Sequence, residues 1–167
     1  MKRQNTIRIL ITGGTIDKEY DPLTGELTFP KSHLSNMLNQ VRCRASCVLE
    51  EVMLKDSLQM GSEDREEILK KCADCLENRI IITHGTDTMV ETAQVLGKNV
   101  KRKTVVLVGA MIPYAFGASD ALFNLGGAFS AVQALQPGVY ITMNGKIFTW
   151  NNVRKNKESG EFEELTC

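Results

Sequence analysis

The feature that most restricts this chain is a set of apolar runs that do not alternate. Ile7–Thr12 (IRILIT), Arg79–Thr83 (RIIIT) and Thr104–Val108 (TVVLV) place β-branched or other large apolar residues at successive positions. A strand with one face in water alternates apolar and polar side chains, whereas a run that stays apolar is covered on both faces. Helical periodicity fills the intervals. In Ser62–Asn78 the residues Ile68, Leu69, Cys72, Cys75 and Leu76 share one stripe, which predicts a helix with both thiols facing the core. Further helices are predicted from Thr88 to Gly97, from Ser119 or Asp120 to about Leu135, and from Ser32 or His33 to about Val41. This order predicts an α/β fold of three layers, a mostly parallel sheet with helices on both faces.

The flanking segments add detail. Ser46–Leu54 reads as a further strand. Thr15–Phe29 holds the turn signals Asp21-Pro22 and Thr24-Gly25 and reads as an N-terminal loop or a hairpin of two weak strands. Val139–Met143 and Lys146–Trp150 read as a C-terminal hairpin around Asn144-Gly145. Thr88-Met89-Val90-Glu91 fits a capping box, with Gly97 as the stop. Gly126-Gly127 lies inside a helical stretch, where each glycine costs about 1 kcal/mol relative to alanine. Close helix–sheet packing is the expected compensation. From Asn151 onward the chain reads as a polar, charged tail.

Composition narrows the function. Twenty Lys and Arg balance twenty Asp and Glu in 167 residues, so a broad basic surface, and with it nucleic-acid binding of the usual electrostatic kind, is not expected. That length suits a single domain that folds without disulfides or a metal. No apolar run approaches the ~18 residues of a membrane span, and Met1–Asn5 leads straight into the first strand without a signal-peptide pattern. Five cysteines, an odd count, are expected to be packing residues, which suits a reducing cytoplasm. The Cys72-x-x-Cys75 pair has no second pair, and the two histidines lack finger spacing. No metal or organic cofactor is implied.

In open parallel sheets, ligands bind beyond the carboxyl ends of the strands. Those ends carry Thr12-Gly13-Gly14-Thr15-Ile16, Lys55-Asp56-Ser57-Leu58-Gln59, His84-Gly85-Thr86-Asp87-Thr88 and Gly109-Ala110-Met111-Ile112-Pro113. Glycine admits close backbone approach, and successive N–H groups can cradle an anion. Neither a phosphate loop nor G-x-G-x-x-G is present. Taken singly, the first motif can be a tight turn and the third a capped helix start.

Thr12–Ile16 and Ile82–Met89 resemble the two signatures of bacterial-type L-asparaginases. Val106–Pro113 with Ser119-Asp120 and Phe123-Asn124 is similar to a third block, and the resemblance runs from about residue 7 to about 157. It implies an amidohydrolase that converts L-asparagine to L-aspartate and ammonia, with L-glutamine as a weaker substrate. By that resemblance Thr15 is the nucleophile, Tyr20 a mobile-loop tyrosine that hydrogen-bonds it, and Thr86, Asp87 and Lys155 a catalytic group. Ser57 holds the substrate carboxylate, with Asp56, Gly85, Thr86, Asp87 and Ala110 as further substrate-binding positions. A threonine hydroxyl needs a proton acceptor to attack. The substrate ammonium needs a carboxylate, for which Asp87 is the candidate, and the Thr86 N–H can serve the oxyanion. His84, Asp120 and Asn124 are expected to be structural, and Asp56 is equally a turn residue.

Most members of that family carry a second, smaller C-terminal domain. The chain is therefore expected to be a short member, one asparaginase N-terminal-type domain over residues 1–167, forming a homo-oligomer. Two functions stay open. One is the amidohydrolase; the other is a non-catalytic amino-acid-binding module or assembly subunit that retains the pocket.

Overall fold

Each non-alternating run becomes a strand buried on both faces. In the computed structural model, which describes residues 5–165, six strands form one sheet in the order β4-β1-β5-β6-β7-β8. These are β1 (Ile7–Gly13), β4 (Cys47–Lys55), β5 (Arg79–Thr83), β6 (Thr104–Val108), β7 (Gly138–Met143) and β8 (Lys146–Thr149). All pairings are parallel except β7 with β8. Cys167 and the charged residues that open the sequence lie outside the described residues.

Strand geometry sends successive side chains to opposite faces, and two hydrophobic clusters result. On one face Leu10, Ile80, Ile82, Val105 and Leu107 meet α2 (Ser62–Asp74) and α3 (Met89–Asn99). On the other Ile9, Ile11, Ile81, Val106 and Val108 meet α1 (Leu34–Gln40) and α4 (Ala121–Ala134). The register keeps the layers aligned, with Ile9 opposite Ile81 and Ile81 opposite Val106. The three-layer α/β expectation therefore holds. Arg8, the one charge in the first run, is held between Glu50 at 3.1 Å and Glu77 at 3.0 Å.

The chain leaves β1 for α1 on one face and leaves β5 for α3 on the other. β1 and β5 are neighbours, so a crevice opens between their carboxyl ends. The N-terminal segment is a hairpin, β2 (Glu19–Asp21) paired antiparallel with β3 (Glu26–Thr28). At its base, the Asp17 carboxylate accepts from the His33 N–H at 2.7 Å and the Ser32 hydroxyl at 3.1 Å. Burial raises the Asp17 pKa above its ordinary value, and those two donors offset part of the rise.

Several expectations need correction. The helix α2 stops at Asp74, so Leu76 is 73% exposed and Cys75 only half-buried, although Cys72 is in the core. The cause is Lys103, whose Nζ takes the carbonyls of Cys72 at 2.7 Å and Cys75 at 2.6 Å and closes the helix end. Gly97 is not a stop: α3 runs on to Asn99, and a Cβ at Gly97 would overlap the Trp150 ring. Gly126 and Gly127 are not packed on the sheet, since a Cβ at either meets nothing within 4 Å. The segment after Asn151 is more than a tail. It forms β9 (Arg154–Lys155) paired with β10 (Phe162–Glu163), anchored by buried Val153 and by Phe162 against Phe148 at 6.4 Å. Among the described residues, no helix is long and apolar enough to cross a membrane.

The three helical glycines should therefore behave oppositely. Gly126→Ala and Gly127→Ala should each raise unfolding free energy by about 0.5–1 kcal/mol through helix propensity. Gly97→Ala should lower it by about 1–3 kcal/mol through overpacking against Trp150. Urea denaturation of the three variants checks this, and a stabilised Gly97→Ala would contradict the contact.

Candidate active site

At the end of β1 the chain turns through Gly13 and Gly14, with φ of 93° and 83°, a left-handed region that side-chain-bearing residues avoid. The turn has no room for a side chain either. A Cβ on Gly14 would overlap the backbone nitrogen of Gly85, at the end of β5. The two motifs thus touch backbone to backbone. Gly85 in turn lies against Ser57, because a Cβ on Gly85 would be 2.6 Å from the Ser57 Oγ. Thr12 fastens the same two strand ends, its hydroxyl donating to the Thr83 carbonyl at 2.6 Å.

The Thr86, Asp87 and Lys155 side chains converge. Lys155 Nζ donates to the Thr86 hydroxyl oxygen at 2.9 Å and to the Asp87 carboxylate at 2.6 Å, across 69 and 68 residues of sequence. The Lys155 side chain is only 12% exposed, against 48% for Asp87, so the amine is inside the site and the carboxylate faces its mouth. No backbone N–H of Gly85, Thr86 or Asp87 is taken up by a protein acceptor among the described residues. Successive unpaired N–H groups of this kind suit an anion or an oxyanion.

The expected capping box does not form. The Thr88 side chain makes no cap bond to α3; its hydroxyl donates to the Ser57 carbonyl at 2.8 Å, and its N–H donates to the Ser57 Oγ at 3.3 Å. Glu91 pairs with Arg65 at 2.9 Å instead. Both residues are spent on tertiary contacts. Those of Thr88 fix Ser57, buried at 1% exposure, in the floor of the site.

Other predicted positions fall outside this cluster. Thr15 is half-buried in the short 3-10 turn after Gly14, and Tyr20 is 57% exposed on the hairpin. No hydrogen bond joins them among the described residues. Ala110 is fully buried in the core cluster that includes α1 and α4; its neighbour Gly109 lies against the site, a Cβ there being 3.2 Å from the Thr86 methyl group. Asp56 has both carboxylate oxygens engaged, by Lys18 at 2.5 Å and by the Leu58 N–H at 3.0 Å. Burial works against its ionisation, but those donors hold its pKa below the ordinary value. This geometry favours the turn reading. Asp120 and Asn124 bond within the fold, but Asp120, expected to cap α4, makes no side-chain cap bond to it. The Asp120 carboxylate accepts the N–H groups of Met111 and Ile112, and Asn124 donates to the Gly109 carbonyl at 3.0 Å.

Sequence reasoning missed a relay beneath the site. The His84 Nδ1 lies 2.7 Å from the Gly85 carbonyl and its Nε2 lies 2.8 Å from the Thr92 hydroxyl, which also accepts from Arg65 Nε at 3.2 Å. A carbonyl only accepts, so Nδ1 carries the proton, and Nε2 accepts from Thr92. Burial, with the nearby Arg65 charge, pushes the imidazole pKa down to about 4, although the Gly85 carbonyl pulls the other way.

The family model "Asparaginase, N-terminal" matches residues 6–162. The chain belongs to the asparaginase family. L-asparaginase 2 of Escherichia coli K12 is 36% identical over 159 residues, covering 89% of this chain and 46% of that protein. A component of the glutamyl-tRNA(Gln) amidotransferase of Methanococcus vannielii is 34% identical over 151 residues, covering 84% of this chain and 34% of that protein. The crystal structure of a probable cytoplasmic L-asparaginase from Campylobacter jejuni superposes with a TM-score of 0.80 at 32% identity, covering 98% of this chain and 54% of that one. This asparaginase-family chain thus spans about half the length, or less, of the proteins it matches. The structural likeness agrees with the mostly parallel sheet between helices.

The depressed pKa has a stability consequence. Unfolded His84 takes a proton below its ordinary value of 6.5, whereas the folded residue resists until about 4. Its contribution is fully present above pH 6.5 and is lost as pH falls toward 4, by roughly 3 kcal/mol in total. Between pH 7 and pH 4, denaturation of the parent should lose about that much more stability than denaturation of His84→Asn. Equal pH slopes would contradict a buried neutral imidazole.

Proposed function

We propose that this chain carries the amidohydrolase chemistry of its family and hydrolyses the side-chain amide of L-asparagine to L-aspartate and ammonia. The observation that carries the reading is the hydrogen-bonded group of Thr86, Lys155 and Asp87 beside unpaired backbone N–H groups. In this reading the substrate ammonium pairs with Asp87 at the mouth, and its α-carboxylate lies against Ser57 and the Gly85 backbone. The side-chain amide points inward, toward Thr86. Thr15 attacks the amide carbon, its proton leaving with ammonia, and water then releases aspartate and restores the hydroxyl. Lys155 supports the step by favouring deprotonation of the Thr86 hydroxyl or by orienting the water. The Thr86 N–H stabilises the charge that develops on the carbonyl oxygen. Tyr20 stands in solvent, so its part requires the hairpin to close over Thr15. L-glutamine, one methylene longer, is the weaker substrate.

A second reading has its own support. Thr15 has no side-chain hydrogen-bond partner among the described residues, as suits a module that binds the amino acid without cleaving it. The setting proposed for either is a homo-oligomer in a reducing cytoplasm. Self-association is supported by the outward side of α4, a helix without charged residues, where Phe123 is 67% exposed, and by Ile147 on β8 at 51%.

Ammonia release from millimolar L-asparagine separates the readings. The parent should turn over, and Thr15→Ala, Thr86→Val and Lys155→Met should each lose about 100-fold or more in kcat while remaining folded by circular dichroism. A parent no faster than Thr15→Ala, yet still binding L-aspartate, would establish the binding module in place of the enzyme.

A further inference from the structure

The Gly85–Thr86 peptide has two ends with opposite duties. Its carbonyl accepts from His84 at 2.7 Å, on the side of the sheet that holds α3. Its N–H, on Thr86, has no protein acceptor among the described residues. In a planar trans peptide the C=O and N–H point in opposite directions, and the described residues contain no cis peptide bond. Whatever holds the carbonyl toward the core therefore turns the N–H of Thr86, the residue whose hydroxyl meets Lys155, away from it. We propose that His84 is a positioning residue that holds the Gly85–Thr86 peptide in the orientation that presents the Thr86 N–H to the reacting amide. This inference rests on the amidohydrolase reading and adds a role for a residue that touches no substrate.

The geometry explains why a histidine serves here. Gly85 supplies no side chain to steer its own peptide, and glycine tolerates either orientation. An imidazole can donate from Nδ1 only while Nε2 accepts, so its tautomer must be fixed. Thr92 on the inner face of α3 does this through its hydroxyl. Arg65 on α2 fixes Thr92, and its remaining nitrogens are held by the Met60 carbonyl at 3.0 Å and by Glu91 at 2.9 Å. Four side chains from two helices and one strand end thus converge on a single carbonyl. An inert core histidine would be satisfied by any two partners. This one spends its only donor on the peptide whose other end faces the site.

The test uses three variants of the full chain, first checked for folding by circular dichroism. His84→Leu removes the donor and roughly keeps the volume. His84→Asn retains a donor close to the position of Nδ1. Thr92→Val keeps the shape and removes the hydroxyl that sets the tautomer. If the peptide then spends nine-tenths of its time turned the wrong way, kcat falls tenfold. His84→Leu should lose tenfold or more in kcat with KM within threefold, because the oxyanion contact tightens in the transition state. His84→Asn should return to within threefold of the parent. Thr92→Val should lose three- to tenfold, and the His84→Leu/Thr92→Val double variant should be no worse than His84→Leu.

Nuclear magnetic resonance of the unliganded protein supplies a readout independent of turnover. The parent imidazole should show the Nδ1–H tautomer, and the Gly85 carbonyl resonance should move in His84→Leu but not in His84→Asn. A parent imidazole protonated on Nε2 would overturn the proposal. So would a folded His84→Leu with parental kcat and carbonyl shift, or equal impairment of His84→Leu and His84→Asn. If His84→Leu does not fold, His84→Asn and Thr92→Val decide by the same criteria. A parent with the expected tautomer and no turnover would defeat the amidohydrolase reading, and with it the presentation of the N–H to a reacting amide, whereas a parent that turns over but fails the tautomer or variant criteria defeats this inference alone.

Discussion

The site depends on the absence of a side chain between two neighbouring strands. β1 and β5 end side by side, and their loops depart to opposite faces of the sheet. At that point the backbone of Gly14 rests on the backbone of Gly85. Any Cβ there would push the loops apart and carry Thr15 away from Thr86. The remaining contacts are arranged around this closure: Thr12 ties β1 to β5, Ser57 supports Gly85 from the turn after β4, and Thr88 secures Ser57. An opening formed by strand order alone becomes a bounded site because the glycines let it shut.

Much of the architecture is legible in the sequence because it follows from periodicity. Apolar residues at successive positions require cover on both faces, and a sheet between two helical layers provides it for IRILIT, RIIIT and TVVLV alike. The hydroxyl- and glycine-rich motifs are equally legible, since each directly follows such a run. What escapes is decided by partners far away in sequence. The capping box at Thr88 and Glu91 is a sound local inference, but Ser57 and Arg65 claim those side chains. The stop after Asp74 comes from Lys103, about thirty residues later. Gly97 and Gly126 look alike in a helical window, and only the location of Trp150 separates them.

The site residues show the same division. Thr86 and Asp87 are adjacent and stand out together. Lys155 is reached only through its likeness to a family position, because its surroundings read as a solvated tail. Val153 and Phe162 are the available signal, two apolar residues in a polar stretch, and both are buried. His84 reads as structural because a lone histidine after a buried strand has no visible partner. Thr92, eight residues on and facing inward from α3, supplies one. Asp17 and Lys18 carry no signal, since their roles lie in holding the hairpin base to Ser32, His33 and Asp56.

The β9–β10 hairpin lets the Thr86, Asp87 and Lys155 group come apart without loss of the fold. Each of its strands is two residues long, and it is pinned mainly by Val153 and Phe162. Such short pairings open locally at much lower cost than the central sheet. When this one opens, Lys155 leaves Thr86 and Asp87 while β1, β5 and the glycine contact stay in place. The population of molecules with the three side chains assembled is then set by the docking of a small peripheral hairpin, and conditions that loosen its aromatic anchor would separate them before any change in the central sheet.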